Sequence, residues 1–266
     1  MAAEIFRRGI LDHRRALMGW CAGIAAYVAL LVAIFPSIEG SPQIDELVES
    51  YPDVLKELVG IGQGDITTGA GYLDVELFSF MLPLLVLVLA IGSGARTFAG
   101  EEDAGRLELV LSYPIRRRSA VLAKGAAVGA EIAIVCVVTG FVMALFDPVV
   151  GLGLSGARIL GAMVSVGVVG LFFGWSALAL GAAIPSRALA IGVPAGAAAT
   201  AYLVGGLHGL AGWLDPFRFL SPFWLVGTAP LRNGASAFGV LAVALAAGAL
   251  LVAGALLVER RDLEPP

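Results

Sequence analysis

Six stretches of this 266-residue chain run with almost no charge: residues 17–35, 77–95, 125–146, 159–184, 188 to about 206, and about 237 to 258. A hydrocarbon core about 30 Å thick is crossed by roughly 20 residues of helix. A backbone in lipid must satisfy its own N–H and C=O groups, so each run must be helical. The pattern therefore predicts an all-α membrane protein with six transmembrane helices. The first run is too long for the apolar core of a cleavable signal and lacks a small-x-small site before Pro36, which makes it a retained anchor.

Composition agrees, with 59% apolar and only 14% charged residues. The net charge of −4 excludes a strongly basic face, so no nucleic-acid partner is expected. Of the 17 bases, all but Lys56, Arg158, Arg218 and Arg232 fall on one side of the six runs. The excess of bases marks the cytoplasmic side, so both termini are expected there, with 1–16 as a basic cytoplasmic segment of a multi-pass inner-membrane protein. Cys21 and Cys136 both lie inside apolar runs, which excludes a disulfide framework, and no Cys/His cluster offers a metal site.

The connections differ in character. Residues 36–76 form an acidic outer loop in which Ile44, Leu47, Val48, Tyr51, Val54, Leu55 and Leu58 recur at helical steps. That spacing predicts an amphipathic helix on the outer surface, serving as a packed cap or as a substrate gate. Glycines at four-residue spacing (125/129, 170/174, 192/196, 205/209) predict close helix packing within a single transmembrane domain, 1–266.

The connection over 96–124, RTFAGEEDAGRLELVLSYPIRRRSAVLAK, is not a simple turn. Glu101, Glu102 and Asp103 suit a helix N-terminus, Glu102 and Arg106 can pair at i, i+4, and Leu107, Val110 and Leu111 form an apolar stripe. Pro114 stops the helix, and Arg116, Arg117 and Arg118 follow at the height of the inner headgroups.

These residues, Glu101-Glu102 followed by Gly105-Arg106-Leu107-Glu108, a leucine-rich turn through Leu111, then Ser112-Tyr113-Pro114 and Arg116, resemble the membrane permease subunits of type-2 ATP-binding-cassette (ABC) exporters. Arg106 departs from the threonine usual there. Leu220-Ser221-Pro222-Phe223, then Pro230, Leu231 and Gly234, are similar to the element before that family's last span, and Glu259-Arg260-Arg261-Asp262-Leu263 to its ending. The resemblance implies the fold of the sterol and multidrug half-transporters, two copies of a separate ABC ATPase docked under 96–124, and a second permease, identical or not. It implies export of a hydrophobic or amphipathic compound such as a drug, antibiotic or lipid. It also implies a transport subunit rather than an enzyme, with Glu101, Glu102, Gly105, Arg106, Leu107, Glu108, Leu111, Pro114 and Arg116 coupling it to the ATPase. No G-x-x-x-x-G-K-[ST] occurs, so ATP and magnesium are expected on the partner and no cofactor on this chain.

Two further sites emerge. Residues 207–236 are broken by Pro216, Pro222 and Pro230, which predicts short re-entrant or interfacial helices; Phe219, Ser221, Pro222, Phe223 and Trp224 then form an outer gate or an aromatic belt. Glu131, the ionisable residue deep in a run, is expected to line the translocation path or clamp two helices. Two other classes compete. Gly153-Leu154-Ser155-Gly156 is similar to the motif of rhomboid intramembrane proteases and would need Ser155 activated by His208. A secondary transporter would need midplane ion sites and inverted repeats, neither of which is evident.

Overall fold

The computed structural model describes residues 2–41, 46, 50–52, 54, 56, 66–98, 100, 116–210 and 212–259. Among these residues every regular element is helical, and six helices are long and apolar enough to cross a membrane. The first, α1, spans Ala2–Ile34 without interruption. Residues 2–16, read from the sequence as a basic tail, thus continue the first span as helix. Glu4 bridges Arg7 and Arg8, each at 3.0 Å, one turn along. Leu17, Ile24, Val28 and Leu31 recur on one face, and that face is buried in the core, where α1 packs on the third span. A 3-10 turn over Phe35–Ser37, with proline at its start, ends the rod.

The second span begins earlier than its apolar run suggests. A short helix, α2 (Gly69–Leu73), is capped by Thr68, whose Oγ1 accepts from Gly71 N at 3.2 Å. It widens into a π-helical turn, Asp74–Phe78, before α3 (Met81–Thr97). The expected amphipathic helix of the acidic loop falls mainly outside the described residues.

The third span, α4 (Arg117–Val150), tolerates Pro148 near its end and stops at Gly151, which adopts φ 75°. Next come α5 (Gly156–Ala183) and α6 (Arg187–Leu207), capped by Ser155 and Ser186. The broken segment holds two short pieces, a 3-10 helix over Asp215–Leu220 and α7 (Pro222–Val226), before the last span, α8 (Ala237–Leu257).

Helix α5 is the centre of the bundle, with α3, α4, α6 and α8 around it. Without a hydrophobic drive between helices in lipid, close approach depends on small residues. Gly94 on α3 meets the carbonyl of Gly174 on α5 so closely that no side chain fits between them. A Cβ at Gly170 would lie 2.7 Å from Val86. The 170/174 spacing is therefore a packing seam, whereas Gly192 and Gly196 face open space. Along α4, Val137, Phe141, Leu145 and Val149 are all more than half exposed at four-residue steps, while Val135, Thr139 and Met143 are fully buried. Apolar residues on both faces of one helix are what a lipid-facing span requires.

The start of α1, the end of α3 and the starts of α4 and α6 meet around one cavity, and Arg118 on α4 reaches Glu259, just past α8, at 3.7 Å. We refer to this as the basic end of the bundle.

Candidate functional site

Two polar constellations occupy opposite ends of the bundle. At the basic end, Glu131 of α4 is 4% exposed. Ser93 of α3 donates its hydroxyl to Glu131 Oε2 at 2.5 Å, and Arg96, one turn on, donates from Nη2 to Ser93 Oγ at 2.9 Å. The hydroxyl thus stands between a guanidinium and a carboxylate and relays their attraction across the α3–α4 contact. His13 of α1 brings Nδ1 to 3.7 Å from Glu131 Oε1 and also lies 2.9 Å from the carbonyl of Gly9. Nearby, Lys124 is buried, donates to the Thr97 carbonyl at 2.5 Å and sits 4.5 Å above the Phe98 ring.

A buried carboxylate is tolerable only when its lone pairs find donors. His13 Nδ1 stands beyond hydrogen-bond reach at 3.7 Å, but Glu131 accepts from the Ser93 hydroxyl, a bond that ties α4 to α3. It also lines a cavity of about 490 Å³, bounded by α1, α3, α4 and the start of α6. The sequence pointed to Glu131 through its depth in the run. Its partners Ser93, Arg96 and His13 carried no local signal, because each lies on a different stretch of chain.

At the other end, Asp74 is 2% exposed within the π-helical turn. Its carboxylate accepts from Leu231 N and Arg232 N, both at 3.0 Å, and from Arg232 Nε at 3.2 Å. It ties the head of the second span to the turn preceding the last one, across 158 positions of sequence. This link escaped the sequence reading, which placed Asp74 among the many acids of the outer loop. Its position directly before an apolar run was the signal available.

Beside it stands the predicted outer-gate segment. Ser221, fully buried, caps α7 by accepting from Trp224 N at 3.3 Å and donates to the Ala201 carbonyl of α6 at 2.7 Å. Pro222 is buried at the first position of α7, where a missing N–H costs nothing. Phe223 stacks on Phe173 of α5 at 5.9 Å and meets Tyr202 of α6 edge-on at 5.8 Å. Trp224 contacts Phe219 and His208, and the Arg218 guanidinium lies 4.9 Å from its ring. Phe223 and Trp224, with Tyr202, Phe78 and His208, line a cavity of about 190 Å³. Ser221 and Pro222 hold the element in place rather than line that space, and Phe219 is more than half exposed.

Other predicted residues fall differently. Glu101, Glu102, Gly105, Arg106, Leu107, Glu108, Leu111 and Pro114 lie outside the described residues. Arg116 is exposed and precedes α4, its carbonyl accepting from Ser119 N at 2.8 Å. Ser155 and His208 are not brought together. Ser155 Oγ caps α5 by accepting from Arg158 N at 3.3 Å, while His208 Nδ1 is 3.1 Å from the Gly205 carbonyl. Among the described residues the serine makes no contact with a base, which removes the geometric ground for the pairing with His208 that the protease alternative needs. Among the described residues no group of histidine, cysteine and carboxylate side chains could hold a metal ion.

A family model described as multidrug efflux system permease Rv1217c, C-terminal domain, matches residues 10–258. No curated protein matches the chain.

Proposed function

Since the chain belongs to this multidrug efflux permease family and is a multi-pass membrane protein, we propose that it is the transmembrane subunit of an ATP-driven exporter of hydrophobic or amphipathic compounds. The observation that carries this reading is a match spanning all six helices. The absence of any phosphate-cradling G-x-x-x-x-G-K-[ST] supports a separate ATPase. Its docking element is the connection over 96–124, with Glu101, Glu102, Arg106 and Glu108 towards the ATPase and Arg116 leading into α4. Since α4 carries Glu131, a push on that connection would be felt first at the polar relay. The basic end faces the cytoplasm, by the excess of bases there. The matched description is of one domain of a permease, which supports a second six-helix half completing the pathway.

The phenolic, indole and imidazole groups around the 190 Å³ cavity suit an outer gate for compounds with apolar or aromatic parts, which rings can pack against. Energy enters at one end and release occurs at the other, so the bundle must act as a rigid transmitter. Its close glycine seam between α3 and α5 provides that stiffness.

The test is co-expression with the neighbouring ABC ATPase, purification, and reconstitution into vesicles loaded with a fluorescent amphipathic dye. The expected result is a stable complex with ATP-dependent dye movement, and loss of ATPase copurification in Glu108→Lys. A folded chain that copurifies with no ATPase, or moves dye without ATP, would overturn the reading. Labelling of a single cysteine introduced beside Arg116 from the cytoplasmic side only would support the orientation.

A further inference from the structure

The size of the outer cavity bounds what it can hold. Phe78, Tyr202, His208, Phe223 and Trp224 contribute five rings to its wall. A drug-sized ligand needs a pocket of about 300 Å³ or more, whereas a dry cavity of about 150 Å³ takes benzene. At about 190 Å³ this one takes a single ring with room for a small substituent.

The wall's polar groups decide which substituent. The stretches of chain that form it, 78–83, 165–170, 202–208 and 223–230, are all described and contain no Asp, Glu, Lys or Arg. Arg218, which packs on the Trp224 ring from outside the lining, is paired with Asp215. A charged ligand would be buried there without a counter-ion, which is costly, so the wall suits a neutral one. Ser79 and Ser165 already donate to the carbonyls of Val75 and Val226. Two ring nitrogens remain. The Gly205 carbonyl, 3.1 Å from His208 Nδ1, can only accept, so Nδ1 carries the proton and Nε2 of the neutral ring is an acceptor. Trp224 Nε1 is a donor. Among the described residues neither His208 Nε2 nor Trp224 Nε1 has a hydrogen-bond partner, and the two rings meet edge to face with centroids 6.1 Å apart.

A hydroxyl donates and accepts at once, and on an aromatic ring it stays neutral at pH 7, since a phenol has a pKa of about 10. Tyr202 and Phe223 also line an apolar groove of about 690 Å³ between α3 and α6, which gives such a compound a way in from the side of the bundle.

We propose that the outer cavity binds a neutral phenol ring, packed among Phe78, Tyr202 and Phe223, its hydroxyl donating to His208 Nε2 and accepting from Trp224 Nε1. The inference deepens the outer-gate reading of this cavity and rests on it.

The experiment uses the full chain, purified in a non-ionic detergent without any ATPase. It is titrated with para-fluorophenol and with fluorobenzene, and fluorine NMR follows binding against detergent alone. Para-fluorophenol is expected to bind saturably and at least about tenfold more tightly, which two hydrogen bonds of ordinary net worth supply. His208→Phe and Trp224→Phe keep a ring but remove the acceptor or the donor. Each should lower para-fluorophenol affinity about threefold or more and leave fluorobenzene binding in place. Trp213→Phe, exposed and outside the cavity, should change neither. Equal affinities for the two probes, tighter binding of para-fluorobenzoate, or para-fluorophenol binding unmoved by both cavity variants would overturn the proposal. Should Trp224→Phe fail to fold, His208→Phe decides, with retained fluorobenzene binding as its check on folding. Competition by para-octylphenol distinguishes the sources of the ring: displacement upholds the phenol site and assigns it to the end of a longer compound, and no displacement assigns it to a single-ring phenol. Para-fluorophenol binding without ATP-dependent dye movement in the complex would overturn the exporter reading alone, and dye movement without para-fluorophenol binding would overturn this inference alone.

Discussion

Replacing Asp74 removes the acceptor for three hydrogen bonds at once, two from backbone N–H groups and one from the Arg232 guanidinium. Hydrogen bonds to a charged group contribute about 1.5–3 kcal/mol each, but three on one carboxylate are not additive. Truncating one partner of a buried ion pair costs about 3–5 kcal/mol. Arg232 is 14% exposed and can turn partly towards water, which sets Asp74→Ala within that range. Asp74→Asn keeps one side-chain oxygen as acceptor and should cost about half as much. Arg232→Ala should cost less again, about 1–2 kcal/mol, since its own backbone N–H and that of Leu231 still hold the carboxylate. Buried Cys136, 8% exposed, provides the readout: a thiol-reactive fluorophore reports its exposure as the detergent-solubilised chain is heated. At about 2–4 °C per kcal/mol for a chain of this size, Asp74→Ala should lower the midpoint by on the order of 10 °C. Midpoints within about a degree of the parent for both Asp74 variants, on that scale, would refute the view that this carboxylate holds the two elements together.

Gly239, in the first turn of α8, lies against the Leu225 carbonyl, so Gly239→Val should displace α7 and abolish a defined unfolding transition in the same thiol assay. Ser221→Ala removes a cap and the tether to Ala201, and should cost about 1–2 kcal/mol by the worth of caps, measured as a midpoint shift with spans intact by circular dichroism. Glu131→Gln still accepts from Ser93 and should cost about 1 kcal/mol, whereas Glu131→Leu leaves the Ser93 hydroxyl without its acceptor and the nearby Arg96 charge without its balancing carboxylate, and should cost about 3 kcal/mol or more; equal midpoints for the two would count against the relay.

The six spans were legible because lipid leaves a backbone no alternative to helix, so length and charge alone locate them. Their ends were less so. The α1 extension carries Arg7, Arg8, Arg14 and Arg15, which read as a tail, although Gly9 lies close enough to α4 that its Cβ would meet Ala127 at 3.0 Å. Glu131 stood out by depth, but the link from Arg96 through Ser93 required tertiary contact to see. The same holds for Asp74 and Arg232, whose pairing no local spacing encodes. In the segment before α8, Pro216 and Pro222 stand at the starts of the two short helices, yet which side chains face the cavity follows from α7's seat on α5 and α6. Phe223 and Trp224 face it; Ser221 does not.

The unbroken first helix has a mechanical consequence. At 1.5 Å per residue its 33 residues reach about 50 Å, against about 30 Å of hydrocarbon. No proline interrupts it, and near its far end the Tyr27 hydroxyl donates to the Glu76 carbonyl at 3.3 Å. The first helix therefore joins the cavity at the basic end to the turn beside Asp74 as one uninterrupted element, with Arg8 lining the one and Tyr27 bonded into the other.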